Sequence, residues 1–240
     1  VLMSFIDRRF YAVNKSDIKD YALIGLTMAV AFSLFMLALS YTTVSNVVLI
    51  ASTYIIFVAV LASVFLKEKL KHKHYISILI ALVGLVILNP FGKELSAIGS
   101  SLAFAQAIVY SIFMVYMRYE EKEHSISSVF WIFLFATLYL TPFALFYGLG
   151  SYYEVLPLVL VLGIVSTGLA YLLLIYGLRR VRAETSAILV LVSHTFASIL
   201  FAMFFLGEVL SQRMIIGGAL LISSGIYIMY SKRIRHYLHH

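Results

Sequence analysis

Residues 65–74 read FLKEKLKHKH. An apolar run closes on Phe65-Leu66, and Lys67, Lys69, Lys71 and Lys73 then gather around one carboxylate, Glu68. So dense a set of ammonium groups cannot lie in hydrocarbon. The run before it, about residues 46–66, is long enough for a helix to cross a hydrocarbon core of about 30 Å. The stretch therefore marks where a membrane-spanning helix meets water. Lysine in a short loop marks the cytoplasmic side.

The rest of the chain agrees. Of 240 residues, 62% are hydrophobic and 12% charged, about half the charge of a soluble domain. A soluble globule of this size has too little polar surface for such a composition. Short alternating segments of the kind a transmembrane β-barrel needs are absent from the sequence. We read an all-α transmembrane bundle with eight spans, at about 20–40, 46–66, 74–89, 97–117, 126–147, 155–178, 183–206 and 213–231. Asn89-Pro90 stops the third span, and Pro142 predicts a kink or an early end in the fifth.

Charge tests the span count. The N-terminal segment carries Arg8, Arg9, Lys15 and Lys19, and alternate segments after it carry Lys67 to Lys73, then Arg118 and Lys122. Arg179, Arg180 and Arg182 follow, and Lys232, Arg233 and Arg235 close the chain. Only Lys93 and Arg213 fall on the other side. Both ends of the chain are thus expected in the cytoplasm, with the protein a multi-pass component of the cell membrane. The net charge of +7 belongs to this bias and calls for no nucleic acid. There is no cysteine, which excludes disulfides and thiolate chemistry. No phosphate-cradling Gly-x-x-x-x-Gly-Lys loop appears, and no metal or cofactor motif is expected.

The frame Phe-Leu-x-Glu-x-Leu recurs at 205–210 as FLGEVL, almost without lysine. Glu68 follows the second span and Glu208 the seventh, so the two frames lie on opposite sides. That is the signature of inverted repeats, which in secondary transporters enclose a midplane site. The frames read as structural fixtures of a repeat: residues 1–90 the first copy, with three spans, and 91–240 the second, with five. Each frame is followed by a helix rich in small residues, among them Ser77, Ala81 and Gly84, then Gly217, Gly218, Ser224 and Gly225. Such a face serves close packing within the bundle or a homodimer.

Four stretches carry a family resemblance. They are Ala38-Leu39-Ser40-Tyr41-Thr42-Thr43, the two frames, and Tyr176-Gly177-Leu178 running on to Ala183-Glu184-Thr185-Ser186-Ala187. Together they resemble the drug/metabolite transporter superfamily, EamA type, over nearly the whole chain. The resemblance implies ten spans in two inverted sets of five, so two spans are expected to precede those seen here. It also implies a proline midway along the frame-bearing spans. Ile55 and Thr195 stand there instead, which argues against a pre-bent helix.

Polar groups at bilayer depth are costly and so are candidates for function. His194 lies central in the seventh span and can bind substrate or carry a coupling proton. Tyr54 holds the same register in the second span. Gln106 and Tyr110 stand four apart on one helix face. Tyr171 is the deeper tyrosine of the sixth span. These five are the expected cavity lining. Glu184, near the cytoplasmic mouth, is a candidate gate, or a helix-face partner of Arg180. Glu68 reads as a surface ion-pair partner among lysines, and Ser211 as a helix cap. For each interior residue the structural alternative is an interhelical hydrogen bond.

The expected function is secondary transport of small polar or amphipathic, amino-acid-like metabolites by alternating access. The rivals are an intramembrane enzyme using His194 and a non-transporting membrane partner or remnant. A serine hydrolase would need a Gly-x-Ser-x-Gly-type turn, and the nearest string, Gly163 to Gly168 around Ser166, does not match.

Overall fold

A computed structural model describes residues 15–88, 96–119, 126–147, 163, 168, 170, 171, 174, 181–183, 185–193, 195 and 211–237. Among these, regular structure is helical: α1 Lys15–Leu39, α2 Val44–Ala51, α3 Tyr54–Phe65, α4 His72–Leu88, α5 Ala97–Tyr119 and α6 Ile126–Tyr147. A helical segment at 185–193 and α7, Gln212–Tyr237, follow. Helices apolar on every side satisfy their own backbone and leave side chains for lipid. Leu79, Val64 and Ile98 are all more than half exposed, as lipid-facing residues must be.

Three stretches are long and apolar enough to cross a membrane: Asp17–Leu39, Val44–Phe65 and Ala97–Tyr119. His72–Leu88, Val129–Pro142 and Gln212–Ile228 are shorter apolar helices. These match six of the eight expected spans in position. Most of the expected span 155–178, and most of 183–206, lies outside the described residues. The expectation at Pro142 is corrected in one respect: α6 runs through it to Tyr147, so the proline does not end the helix.

Contacts divide the chain into two units, 1–30 with 116–181 and 31–115 with 182–240. In the first, α1 meets α6 at Gly25. A Cβ there would stand 2.8 Å from the Ile132 carbonyl, so only glycine permits this approach. The Tyr116 hydroxyl donates to Asp20 Oδ1 at 3.0 Å. In the second unit, α4 and α7 touch backbone to backbone. A Cβ on Gly217 would lie 2.7 Å from the Gly84 carbonyl, and one on Gly84 would lie 2.9 Å from the Gly217 carbonyl. The buried Ser224 hydroxyl donates to the Ser77 carbonyl at 2.8 Å. Ser77 and Gly84 of one repeat helix thus pack on Ser224 and Gly217 of the other within one chain.

Helix ends follow from local chemistry. Ser211 caps α7 as expected, its Oγ accepting the Met214 amide at 3.2 Å. Ser96 does the same for α5 through the Gly99 amide. At α4 the Nδ1 of His74 accepts the Lys71 amide at 3.0 Å. The end of α3 explains the frame quoted above. The Ala62 carbonyl accepts the amides of both Leu66 and Glu68, and the residue between them, Lys67, has φ 53°. That left-handed conformation suits glycine, and glycine, Gly207, stands at the matching place in the second frame. Lys67→Gly should therefore stabilise the protein by about 1 kcal/mol, about 2–4 °C in thermal midpoint in detergent. Lys67→Ala should give no such gain. Equal midpoints for Lys67→Gly and wild type would show that the turn is unstrained.

Candidate functional site

The second span is two helices, not one. Between α2 and α3, Ser52 and Thr53 adopt a tighter turn, with φ/ψ of −66°/−11° and −63°/−9°. The amides of Thr53, Ile55 and Ile56 reach three residues back, to Ile50, Ser52 and Thr53. Two hydroxyls support the break. Ser52 Oγ donates to the Val48 carbonyl and Thr53 Oγ1 to the Ile50 carbonyl, each at 2.6 Å. Hydroxyls that bond back onto the helix offer its carbonyls an alternative donor and bend it. The regular α-helix is interrupted at this point although Ile55 is not proline. At the matching register of the second copy, Val192, Ser193 and Thr195 are helical. There Thr195 bonds back, to Leu191 at 2.8 Å.

The break delivers Tyr54, which opens α3 and is buried. Its hydroxyl donates to the Ala187 carbonyl at 2.9 Å, tying α3 to the segment 185–193. Its ring meets Tyr110 of α5 edge-on, 5.0 Å between centroids, and Tyr110 in turn stacks on Phe113 at 5.7 Å. Gln106 lies one turn before Tyr110 on α5. It is 9% exposed, and its carboxamide oxygen is buried with no hydrogen-bond partner among the described residues.

A second tie holds the other end of α3. The Arg182 guanidinium donates to the Lys69 carbonyl at 2.9 Å and pairs with Glu68, Nε to Oε2 3.5 Å. Glu68 is only 14% exposed, so it is not the surface group expected, and Arg182, a partner from far along the chain, pairs with it. The turn at Lys67 aims it. Segment 182–193 is thus fastened to α3 near both of its ends, by a tyrosine inside and by an arginine at the water.

The expected cavity residues fare differently. Tyr54 and Tyr110 come together, with Gln106 a turn away. Tyr171 belongs to the other unit, where its ring meets Phe133 edge-on at 5.4 Å. His194, Glu184 with Arg180, and Glu208 lie outside the described residues. Sequence reasoning passed over Arg182 as a partner of Glu68 and Ser52-Thr53 as a helix break. It also passed over Asn46, fully buried, whose Nδ2 donates to Thr42 Oγ1 at 3.0 Å. An adjacent Ser-Thr pair in an apolar run was the available signal for the break. No group of three His, Cys, Asp or Glu placed to hold a metal occurs among the described residues.

Comparison with known proteins bears on the same residues. The model of the EamA-like transporter family matches residues 1–89 and 97–231. An uncharacterized transporter of Clostridium kluyveri is 28% identical over 226 residues, covering 88% of this chain and 72% of the relative. The uncharacterized transporter YetK of Bacillus subtilis is 28% identical over 201 residues, 78% of this chain and 61% of that protein. One from Archaeoglobus fulgidus is 26% identical and is spanned over 58% of its length. A protein of known crystal structure shares the fold, with a TM-score of 0.72 at 18% identity over 90% of this chain and 78% of its own.

Proposed function

Because the chain belongs to the EamA-like transporter family, an integral membrane family of helical bundles, we propose that it is a secondary transporter, and not an enzyme, moving small polar or amphipathic metabolites across the cell membrane by alternating access. The observation that carries this reading is the break at Ser52-Thr53 beside the buried cluster of Tyr54, Tyr110 and Gln106. Interrupted helices in transporters expose backbone and polar groups where a substrate is held near the midplane. An unbroken span would offer no joint there.

The mechanism follows from the same parts. Both ends of the chain lie in the cytoplasm, as the lysine and arginine bias requires. The Glu68–Arg182 tie then faces the cytoplasm and the Tyr54–Ala187 tie lies deeper. With both made, α3 and segment 182–193 close the path from inside. Opening inward breaks them, with the joint at Ser52-Thr53 letting α3 swing while α2 stays. His194 carries the coupling proton, and Glu184 attends the mouth.

Uptake into proteoliposomes tests the proposal. The chain should accumulate members of a radiolabelled pool of amino acids and related metabolites several-fold over empty vesicles. His194→Ala should flatten the pH dependence of that uptake. Flux no greater than in empty vesicles across the pool would overturn the transport reading, and an unchanged pH profile would remove the proton role.

A further inference from the structure

The loop 66–71 between α3 and α4 sorts its cations. The Arg182 guanidinium is committed to it from inside, donating to the Lys69 carbonyl and pairing with Glu68. Lys67, Lys69, Lys71 and His72 are exposed, and Lys73, in the first turn of α4, is half-buried. The backbone that carries them is pinned at three places. The Ala62 carbonyl accepts the Leu66 and Glu68 amides, the Lys69 carbonyl accepts Arg182, and Nδ1 of His74 accepts the Lys71 amide. Each of these bonds is made by loop backbone, and none requires a lysine side chain. The loop is therefore a fixed platform that presents ammonium groups outward.

Beside the platform the surface is apolar. Val64 and Phe65 close α3 at 64% and 63% exposed, and Tyr75 stands in the first turn of α4 at 57%. Tyr75, Leu79, Val83 and Val86 recur at helical spacing and are all exposed, which makes one lipid-facing stripe along α4. A tyrosine at the water end of such a stripe sits at headgroup depth. Lysine stems lie along apolar surface and place their charge in the same layer. The lysine and arginine bias assigns this loop to the cytoplasmic side, where anionic lipids give the leaflet a negative potential.

The partner follows from the two halves together. A soluble anion would meet only the charges. A phospholipid of net negative charge meets the ammonium groups with its headgroup and the stripe with its acyl chains. Lysine suits mobile headgroups, being a compact charge on a flexible stem, while the fork of Arg182 suits a fixed carboxylate. The acid within the loop, Glu68, is paired with Arg182, and Glu184, two residues past Arg182, offsets at most one of the remaining charges.

We infer that the α3–α4 loop is a binding surface for anionic phospholipid, with Lys67, Lys69 and Lys71 taking the headgroup and the stripe from Tyr75 to Val86 taking the acyl chains. The inference goes beyond the transport reading, and its test needs no transport.

The detergent-purified chain is titrated with phosphatidylglycerol or with phosphatidylcholine of the same acyl chains, and the thermal midpoint is followed. The anionic lipid should raise the midpoint at about tenfold lower concentration than the zwitterionic one. Salt at about 0.5 M should erase most of that preference. Lys67→Gln, Lys69→Gln and Lys71→Gln together should bring the two lipids within about twofold of each other, since each lysine near an anionic surface contributes comparably. The pinning bonds are made by backbone and survive these changes. Arginine at the same three positions should keep the preference, which a merely structural role would not explain. Lys232→Gln, Arg233→Gln and Arg235→Gln remove as many charges from the tail and should also keep it. Glycerol phosphate, an anionic headgroup without chains, should leave the midpoint unmoved at these concentrations. Lys69→Gln with Lys71→Gln, which leaves the Lys67 turn untouched, should already cut the preference at least about threefold. An undiminished preference in that pair would overturn the inference even where the triple variant cannot be purified. So would equal response of the wild type to both lipids, a preference lost equally in the tail variant, or equal stabilisation by glycerol phosphate.

Discussion

Leucine in place of Gly217 should cost the protein about 3 kcal/mol or more, a drop of about 6–12 °C in the thermal midpoint of the detergent-purified chain. The reason is where the obstruction lies. A Cβ at 217 meets the Gly84 carbonyl at 2.7 Å, the Leu88 amide nitrogen at 3.0 Å and the Leu88 Cγ at 2.8 Å. Only the last can yield by rotating a side chain. The first two are backbone of a packed helix, so α4 and α7 must separate. Separation also strains the Ser224 bond to the Ser77 carbonyl. Adding Leu88→Ala to Gly217→Ala isolates the backbone contribution. The pair should remain well below wild type, because the carbonyl still stands in the way. Recovery to the wild-type midpoint would show that Leu88 alone resists, and that the helices are free to shift. The same substitution at Gly225 should be milder, since its nearest obstacle is a valine methyl at 3.4 Å.

That contact was half visible in the sequence. Small residues at matching places after each frame announced close helix approach, because only they let backbones touch. What spacing could not tell was the partner, and α4 and α7 turn out to serve each other within one chain. The frame itself was legible as a boundary and not as a device. Lys67 took its place as one lysine of four. Its left-handed φ, one residue before the Glu68 that pairs with Arg182, is a property of the closed turn. Only Gly207 in the other frame hinted at it. Tyr54, Gln106 and Tyr110 could be singled out because polar groups are conspicuous in apolar spans. The helix break beside them was missed because it uses hydroxyls where a proline was sought. Ser and Thr bend a helix only when they bond back to it, and their rotamers are not written in the sequence. Arg182 was counted for its side of the membrane. Its partner lies on another helix, and pairing across such a distance is decided by packing.

Cross-linking residues 68 and 182 should stop transport reversibly. The chain has no cysteine, so Glu68→Cys with Arg182→Cys leaves only those two sites for a short, reducible bifunctional thiol reagent. The reagent then does permanently what the ion pair does transiently. In the alternating-access cycle proposed here, the water-facing tie must part each time the cavity opens inward. A covalent link there, with Tyr54 still bonded to Ala187, holds α3 against segment 182–193 throughout. Flux should fall more than tenfold on linking and return on reduction, and single-cysteine chains given the same reagent should keep theirs. Loss of the charges without a link should act the other way. The pair is partly buried and reinforced by the bond to the Lys69 carbonyl, so removing it favours the open arrangement by about 1–3 kcal/mol. Unlinked Glu68→Cys with Arg182→Cys should therefore shift the balance toward inward opening, read as faster labelling of a third cysteine placed at Ser186. If linked chains transport at the unlinked rate, the tie is a static brace, and the moving joint must be sought elsewhere than at Ser52-Thr53.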